Sequence, residues 1–202
     1  MEGIVPPTRR PAPEAFWLHS SVMRLDPATT LVAFVDIQER LITAIPAAPA
    51  VLTRALRLAR ASRLLDIRTV LTEQYPKGLG PTPPELASLV PPAVTKTAFS
   101  CCGSDAFAGL VAASPRPHAV VLCGLETHVC ITQTALDLLG RGLGVVIAAD
   151  AVASRHALDH DIGLRRLESA GAVLTTTEAI LFEWLRDASH PHFKAVQKLV
   201  LE

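Results

Sequence analysis

Short, almost continuously apolar segments alternate with segments of helical periodicity from residue 31 onward. A strand that is apolar along its whole length is buried on both faces, which is typical of a parallel sheet covered by helices. The pattern therefore predicts an α/β fold, a three-layer αβα sandwich with a six-stranded, mostly parallel sheet. The predicted strands are residues 31–35, 67–71, 92–97, 119–123, 144–149 and 172–175.

Helical spacing of apolar residues appears between these strands. The predicted helices are residues 54–65, 130–139, 156–170, 177–187 and a last helix from Pro191 to the C-terminus. Residues 74–84 form a predicted loop rich in Gly and Pro. Because long loops in compact domains are often functional, we expect this loop to line or cover a binding site.

Length, charge and cysteine content restrict the class of protein. The 202 residues, half of them apolar, suit one domain over residues 21–202, preceded by a flexible arm over residues 1–20. Nineteen basic residues balance nineteen acidic ones, which disfavours a nucleic-acid partner. The chain contains no apolar run near the ~18 residues of a membrane span. Four cysteines without C-x-x-C spacing are typical of reduced thiols in a cytoplasmic protein without structural zinc.

Polar side chains cluster where the predicted strands end, which is where parallel α/β sheets bind their ligands. The residues at or just after these ends are Asp36, Glu73, Gln74, Lys96, Glu126, Thr127, His128, Cys130 and Asp150. An acid, a lysine and a cysteine thus come from three different strands and can meet at one edge. Such a set suits nucleophilic chemistry.

Three of these residues each allow two interpretations. Cys130 opens a predicted helix, whose dipole would favour a reactive thiolate, but a buried and inert thiol is an equal alternative. Asp36 is a general base or the N-cap of a helix that begins near Gln38. Lys96 is a solvated residue of a weak strand or, next to a carboxylate, an ion-pair partner that stabilises an oxyanion.

The other cysteines and histidines carry less information. Cys101 and Cys102 are predicted to be packing thiols, in a segment that can still lie near the site. His156 and His160 have the i, i+4 spacing of a metal-binding pair. A third ligand is not apparent in the sequence, so a solvated helix face is the preferred interpretation.

Three motifs follow one another at predicted strand ends. They are Phe-Val-Asp-Ile-Gln at 34–38, Lys-Thr at 96–97 and Gly-Leu-Glu-Thr-His-Val-Cys at 124–130. Over roughly residues 28–187 the chain resembles the isochorismatase-like cysteine hydrolases, a superfamily that includes nicotinamidase and N-carbamoylsarcosine amidase. The resemblance implies that Asp36, Lys96 and Cys130 form a catalytic triad.

In such a triad Asp36 takes the thiol proton and passes it to the leaving group. Cys130 attacks a carbonyl carbon to give an acyl-enzyme, while Lys96 holds Asp36 and favours the thiolate. The resemblance also implies a cis peptide bond between Leu125 and Glu126. This bond would direct the backbone N–H groups of Glu126 and Cys130 to one point, as an oxyanion hole.

The resemblance further implies a small-molecule substrate and a homo-oligomer. Metal-containing nicotinamidases carry an Asp-x-His pair and another His after strand two, whereas residues 71–80 here contain no His. We therefore expect no metal and no cofactor. Residues 72–82 instead resemble the isochorismatase domain-containing subgroup, whose substrates are not established. The expected substrate pocket comprises Gln38, Glu73, Gln74, Tyr75, Phe99, Leu125 and Thr127.

Cys130 favours acyl transfer, because isochorismatases proper act on a vinyl ether and do not need a cysteine. The predicted function is metal-independent hydrolysis of a C–N bond in a small amide. One alternative is an ester or thioester hydrolase with the same triad. Another is a non-catalytic binding or assembly module, in which the apolar stripe of the last helix packs on its own core or on another subunit.

Overall fold

The computed structural model describes residues 23–201. The arm predicted over residues 1–20 lies outside the described residues. One six-stranded parallel sheet forms the centre, in the order β3-β2-β1-β4-β5-β6. The strands are β1 Thr30–Val35, β2 Arg68–Gln74, β3 Val94–Lys96, β4 Ala119–Leu125, β5 Gly144–Ala153 and β6 Val173–Thr175. The predicted α/β sandwich is confirmed.

Helices cover both faces of the sheet. They are α1 Glu39–Ala44, α2 Ala48–Leu64, α3 Pro76–Leu79, α4 Pro84–Ala87, α5 Asp105–Ala112, α6 Thr132–Gly140, α7 Ala157–Ser169, α8 Thr177–Leu185 and α9 Phe193–Leu201. Side chains of α2, α8 and α9 pack on one face, and those of α5, α6 and α7 pack on the other. Within residues 23–201, none of the helices is both long and apolar enough to cross a bilayer.

The two central strands explain this layering. Every residue of β1 and β4 is buried. Their side chains alternate between the two cores, so that Val32 and Phe34 face one core while Leu31 and Ala33 face the other. Continuous apolar sequence is therefore the consequence of burial on both faces.

Some element boundaries differ from those predicted. Helix α2 begins at Ala48, where Pro49 fits the first turn because its missing N–H has no partner there. The last helix begins at Phe193 and not at the predicted Pro191. Val196 of this helix is buried against this chain's own core. Strand β5 continues to Ala153, so that Asp150 lies inside the strand rather than at its end.

Asp150 therefore has a structural role. Its carboxylate accepts hydrogen bonds from the backbone N–H of Thr177, at 2.7 Å, and from its hydroxyl, at 2.9 Å. It also pairs with Arg54 at 3.4 Å. The prediction that Asp150 follows the end of the fifth strand is wrong.

A close contact between β1 and β4 positions that edge. Gly124 adopts φ 131°, and a Cβ at this residue would lie 2.0 Å from the carbonyl oxygen of Val35. The two strand ends can approach this closely only with glycine on β4. The contact sets Asp36, which follows Val35, beside the segment that leads to Cys130.

Replacement of Gly124 by alanine is expected to lower the free energy of unfolding by at least about 2 kcal/mol, because of the positive φ and the contact with Val35. The matched control is Gly109→Ala, in the middle of α5, where a Cβ would meet no atom within 4 Å. That variant is expected to be about 1 kcal/mol more stable, as alanine favours helix. Urea unfolding of both variants tests this difference, and equal stabilities would contradict it.

Candidate active site

A lysine, an aspartate and a cysteine from three strand ends meet at the carboxyl edge of the sheet. Asp36 follows β1, Lys96 is the last residue of β3, and Cys130 lies in the helical turn Thr127–Ile131 that follows β4. The Lys96 Nζ lies 2.6 Å from Asp36 Oδ2, and both side chains are almost completely buried, with exposures of 1% and 0%. The Cys130 thiol lies close enough to the Asp36 carboxylate for this charge to raise the pKa of the thiol.

The structure excludes one of the two interpretations of Asp36, the N-cap. Gln38, not Asp36, occupies the N-cap position of α1. The Asp36 backbone adopts φ 52° directly after β1, which is uncommon for a residue other than glycine. Its carboxylate accepts a hydrogen bond at Oδ1 from the Thr72 hydroxyl, at 2.8 Å, in addition to the Lys96 ammonium at Oδ2.

Lys96 is an internal ion-pair partner and not a solvated strand residue. Besides Asp36, its ammonium donates to Gln74 Oε1 at 2.7 Å. It also lies 3.1 Å from the carbonyl oxygen of Phe99 and 3.3 Å from that of Ala98. An ammonium has three N–H donors, and these acceptors are sufficient to use all of them.

Cys130 is held in a wide helical turn. The N–H of Ile131 bonds the carbonyl of Glu126 at 3.2 Å, a spacing of five residues, and α6 continues from Thr132. Helix α7 packs against this turn, where a Cβ at Gly163 would lie 3.2 Å from the Cα of His128. Turns of this π type are frequent at functional sites.

Burial has the largest effect on the pKa of the Cys130 thiol. Removal from water raises the pKa of the Cys130 thiol well above its ordinary value, and the Asp36 charge raises this pKa further. The Lys96 ammonium lowers it without reversing the direction. The direction of this shift favours the buried neutral thiol, one of the two interpretations that the sequence left open, over a thiolate at rest.

Two further side chains, Thr72 and Cys101, lie next to this cluster. Thr72 is fully buried in β2 and donates to Asp36. Cys101 Sγ lies 3.8 Å from the Thr72 hydroxyl. Burial, together with the Asp36 charge, raises the pKa of the Cys101 thiol to about 11. The position of Thr72 directly after the strand predicted over residues 67–71 was the only signal that pointed to it.

The peptide bond between Leu125 and Glu126 is cis, as the resemblance implied. The Glu126 carboxylate is buried and accepts hydrogen bonds from the backbone N–H of Arg155 at 2.9 Å and from its Nε at 3.1 Å. This charge is thus paired with Arg155.

Several expected pocket residues make contacts within the framework of the fold. Leu125 is fully buried in the core on the α2 face. The Thr127 hydroxyl bonds His160 Nδ1 on α7 at 2.9 Å, which also shows that His160 is not simply solvated. The Gln38 amide bonds the backbone at Gln74 and Gly80, with distances between 2.6 and 3.1 Å. It therefore ties the loop that follows β2 to the sheet edge.

Two of the remaining pocket candidates make internal contacts, and the other two are exposed. Glu73 accepts a bond from the backbone N–H of Thr82 at 2.8 Å and so also holds this loop. Gln74 contacts Lys96 directly. Tyr75 and Phe99 are exposed, at 56% and 53%. Tyr75 helps to line an open cavity of about 490 Å³, whose wall also includes Lys96. Among residues 23–201, no group of three or more potential metal ligands occurs.

The fold and this cluster together define an α/β protein with a thiol, a carboxylate and an ammonium at the carboxyl edge of its sheet. The family model for the isochorismatase domain matches residues 29–179. The chain belongs to this family, which supports a hydrolase role.

Individual relatives agree with this assignment. The chain is 41% identical over 183 residues to isochorismatase domain-containing protein 2A of Mus musculus, covering 91% of this chain and 88% of the relative. A solved structure described as the MAR1 ribonuclease of Caenorhabditis elegans is 40% identical, with a TM-score of 0.84 and coverage of 89% and 93%. YcaC from Pseudomonas aeruginosa, solved with hexane-2,5-diol and covalent acrylamide, is 26% identical, with a TM-score of 0.78 and coverage of 88% and 96%.

The variant Asp36→Asn tests the ionisation of the thiol. Because the Asp36 carboxylate raises the pKa of Cys130, its removal lowers this pKa and increases the thiolate fraction at pH 7. We expect iodoacetamide to alkylate Cys130 about tenfold faster for each pKa unit lost. Intact mass and peptide mapping measure the rate, with Cys130→Ala as background.

The matched control is Asp150→Asn, which removes a carboxylate that is bonded to Thr177 on α8. Its Cys130 alkylation rate is expected to equal that of the wild type. Slower alkylation in Asp36→Asn would mean that the carboxylate promotes the thiolate at rest, contrary to the geometry described above.

Proposed function

We propose that this protein is a cysteine hydrolase that cleaves the C–N bond of a small amide through an acyl-enzyme intermediate. The observation that carries the proposal is the Asp36 carboxylate, which is paired with Lys96 Nζ at 2.6 Å and raises the pKa of the neighbouring Cys130 thiol. A nucleophile, an adjacent base and a charge that orients the base are the components of covalent acyl transfer.

In the proposed reaction the thiol proton moves to Asp36 as sulfur attacks the carbonyl carbon. Collapse of the tetrahedral intermediate breaks the C–N bond, and Asp36 returns the proton to the departing amine. Water then attacks the thioester with Asp36 as base, and Cys130 regains its proton. A neutral resting thiol suits this cycle, because the carboxylate must be ionised before each attack.

The oxyanion of the intermediate is proposed to bind the backbone N–H groups of Glu126 and Cys130. Backbone donors held in place before the reaction stabilise such charge without reorganisation. The pairing of Glu126 with Arg155 supports this assignment, because the Glu126 carboxylate is neutralised next to the developing negative charge. For the same reason, a negatively charged group on the substrate is not repelled.

No metal or cofactor takes part in the proposed mechanism, since the positive charge beside Asp36 comes from Lys96. We therefore expect dialysis against EDTA to leave the rate of hydrolysis unchanged. A loss of rate that is restored by added Zn²⁺ or Mg²⁺ would contradict this part of the proposal.

We propose three further properties, concerning location, assembly and substrate size. The four cysteines are all unpaired, which supports a cytoplasmic location. Leu158 and Ile162 lie four residues apart on α7 and are exposed, which supports a homo-oligomer as the resemblance implies. A small-molecule substrate fits a cluster that is almost completely buried.

The substrate class is tested with a panel of small amides, esters and thioesters. RNA is added because a relative from Caenorhabditis elegans is described as a ribonuclease. The proposal predicts amide hydrolysis that falls by at least about a thousandfold in Cys130→Ala. Cys102→Ala, a matched variant of a neighbouring cysteine, is expected to retain the wild-type rate.

Other outcomes assign the protein to other classes. Turnover of esters or thioesters alone, with the same dependence on Cys130, would retain the triad and reject the amide. Cleavage of RNA that survives in Cys130→Ala would reject the proposed chemistry. No turnover of any compound would favour a binding or assembly module.

A further inference from the structure

Thr72 stands between the base of the proposed triad and a second thiol. It lies on β2, which separates β1 from β3 in the sheet, and it pairs in register with Val35 on β1 and Val94 on β3. Its carbonyl accepts the backbone N–H of Asp36 at 3.2 Å, and its hydroxyl lies 2.8 Å from Asp36 Oδ1. One residue thus contacts both the backbone and the carboxylate of Asp36.

The chemistry of the groups fixes the direction of these hydrogen bonds. An ionised carboxylate only accepts, so the single hydrogen of the Thr72 hydroxyl points to Asp36. Cys101, whose Sγ lies 3.8 Å from the same hydroxyl oxygen, must then be the donor to Thr72. Burial keeps Cys101 as a neutral thiol that can donate. The result is a directed chain from Cys101 through Thr72 to Asp36, and successive bonds in such a chain strengthen each other.

The Asp36 carboxylate is consequently held at both oxygens. Lys96 Nζ binds Oδ2 at 2.6 Å and is itself fixed by Gln74 Oε1 at 2.7 Å. The Thr72 hydroxyl binds Oδ1. The terminal torsion of an aspartate is otherwise broad and only weakly restricted. Without the hydroxyl, the carboxylate would have one anchor and could rotate about the bond to its Cγ.

We propose that Thr72 is a positioning residue, whose hydroxyl orients Asp36 to exchange a proton with Cys130 and shields the carboxylate from Cys101. The inference rests on the proposed function of Asp36 as the base. Strand β2 contributes no member of the proposed triad. Through Thr72 it would direct the Asp36 base to the thiol of Cys130 and not to that of Cys101.

The test compares two substitutions with opposite consequences. Thr72→Val keeps the size and branching of the side chain and removes the hydroxyl. Thr72→Ser keeps the hydroxyl and removes a methyl group. A positioning role predicts that valine is harmful and serine is tolerated, whereas a packing role predicts the reverse order.

The probe is 4-nitrophenyl acetate, whose steady-state hydrolysis requires both attack by Cys130 and activation of water by Asp36. We expect kcat to fall at least about tenfold in Thr72→Val with an unchanged KM, since the hydroxyl acts on the base and not on substrate binding. Thr72→Ser is expected to remain within about threefold of the wild type. Peptide mapping after acid quench is expected to locate the acetyl group on Cys130 and not on Cys101.

Controls separate failure of this inference from failure of the proposed function. Asp36→Asn and Cys130→Ala must lose steady-state hydrolysis if the triad operates at all. If both lose it while Thr72→Val matches the wild type, Thr72 is not a positioning residue and the triad stands. If both retain it, the proposed function fails. A lower kcat in Thr72→Ser than in Thr72→Val would overturn the positioning role, and urea unfolding of both variants shows whether folding is the cause.

Discussion

The buried ion pair between Lys96 and Asp36 is the interaction on which the rest of the site depends. Two charges so far from water are stable only when each is paired and hydrogen-bonded. Here Asp36 is held from two sides, by Lys96 at Oδ2 and by Thr72 at Oδ1, and Lys96 is further fixed by Gln74. All four side chains come from three adjacent strands of the sheet, so that the backbone hydrogen bonds of the sheet determine the geometry of the charges. Cys130 therefore has to contact only the Asp36 carboxylate, whose orientation Lys96 and Thr72 already hold.

The fold and the three central residues of the site could be predicted from the sequence. The apolar strands indicate the fold, and the residues at their ends indicate the site. Continuous apolar runs are visible without an alignment, and they correctly predict a parallel sheet with two covered faces. The ends of those runs then place a carboxylate, an ammonium and a thiol on one edge. The interpretation of Lys96 as an internal ion-pair partner, one of two left open by the sequence, agrees with its contact to Asp36. The cis peptide after Leu125 could be anticipated only through the family resemblance.

The parts of the site that could not be predicted have a common physical cause, which is that sequence position does not reveal the direction of a side chain. Leu125 and Thr127 adjoin the site in sequence, but one points into the core and the other points to α7. Asp150 was placed at a strand end because the apolar run stops there, whereas the strand itself continues to Ala153. The two interpretations of Cys130 stayed open because a helix terminus is visible in a sequence, while burial, the larger effect on the pKa of this thiol, is not. Thr72 was overlooked for the same reason, since its importance arises from packing beside β1.

The most direct test of this account is a double-mutant cycle on the ion pair, measured by urea unfolding of Asp36→Asn, Lys96→Met and the variant that combines both. Removal of one partner leaves a buried charge without compensation, so each single substitution is predicted to lose about 3–5 kcal/mol of stability. The combined variant removes both charges and is predicted to lose much less than the sum of the two single losses. Additive losses would contradict the account, because they would mean that the two side chains contribute independently and that no buried ion pair organises the site.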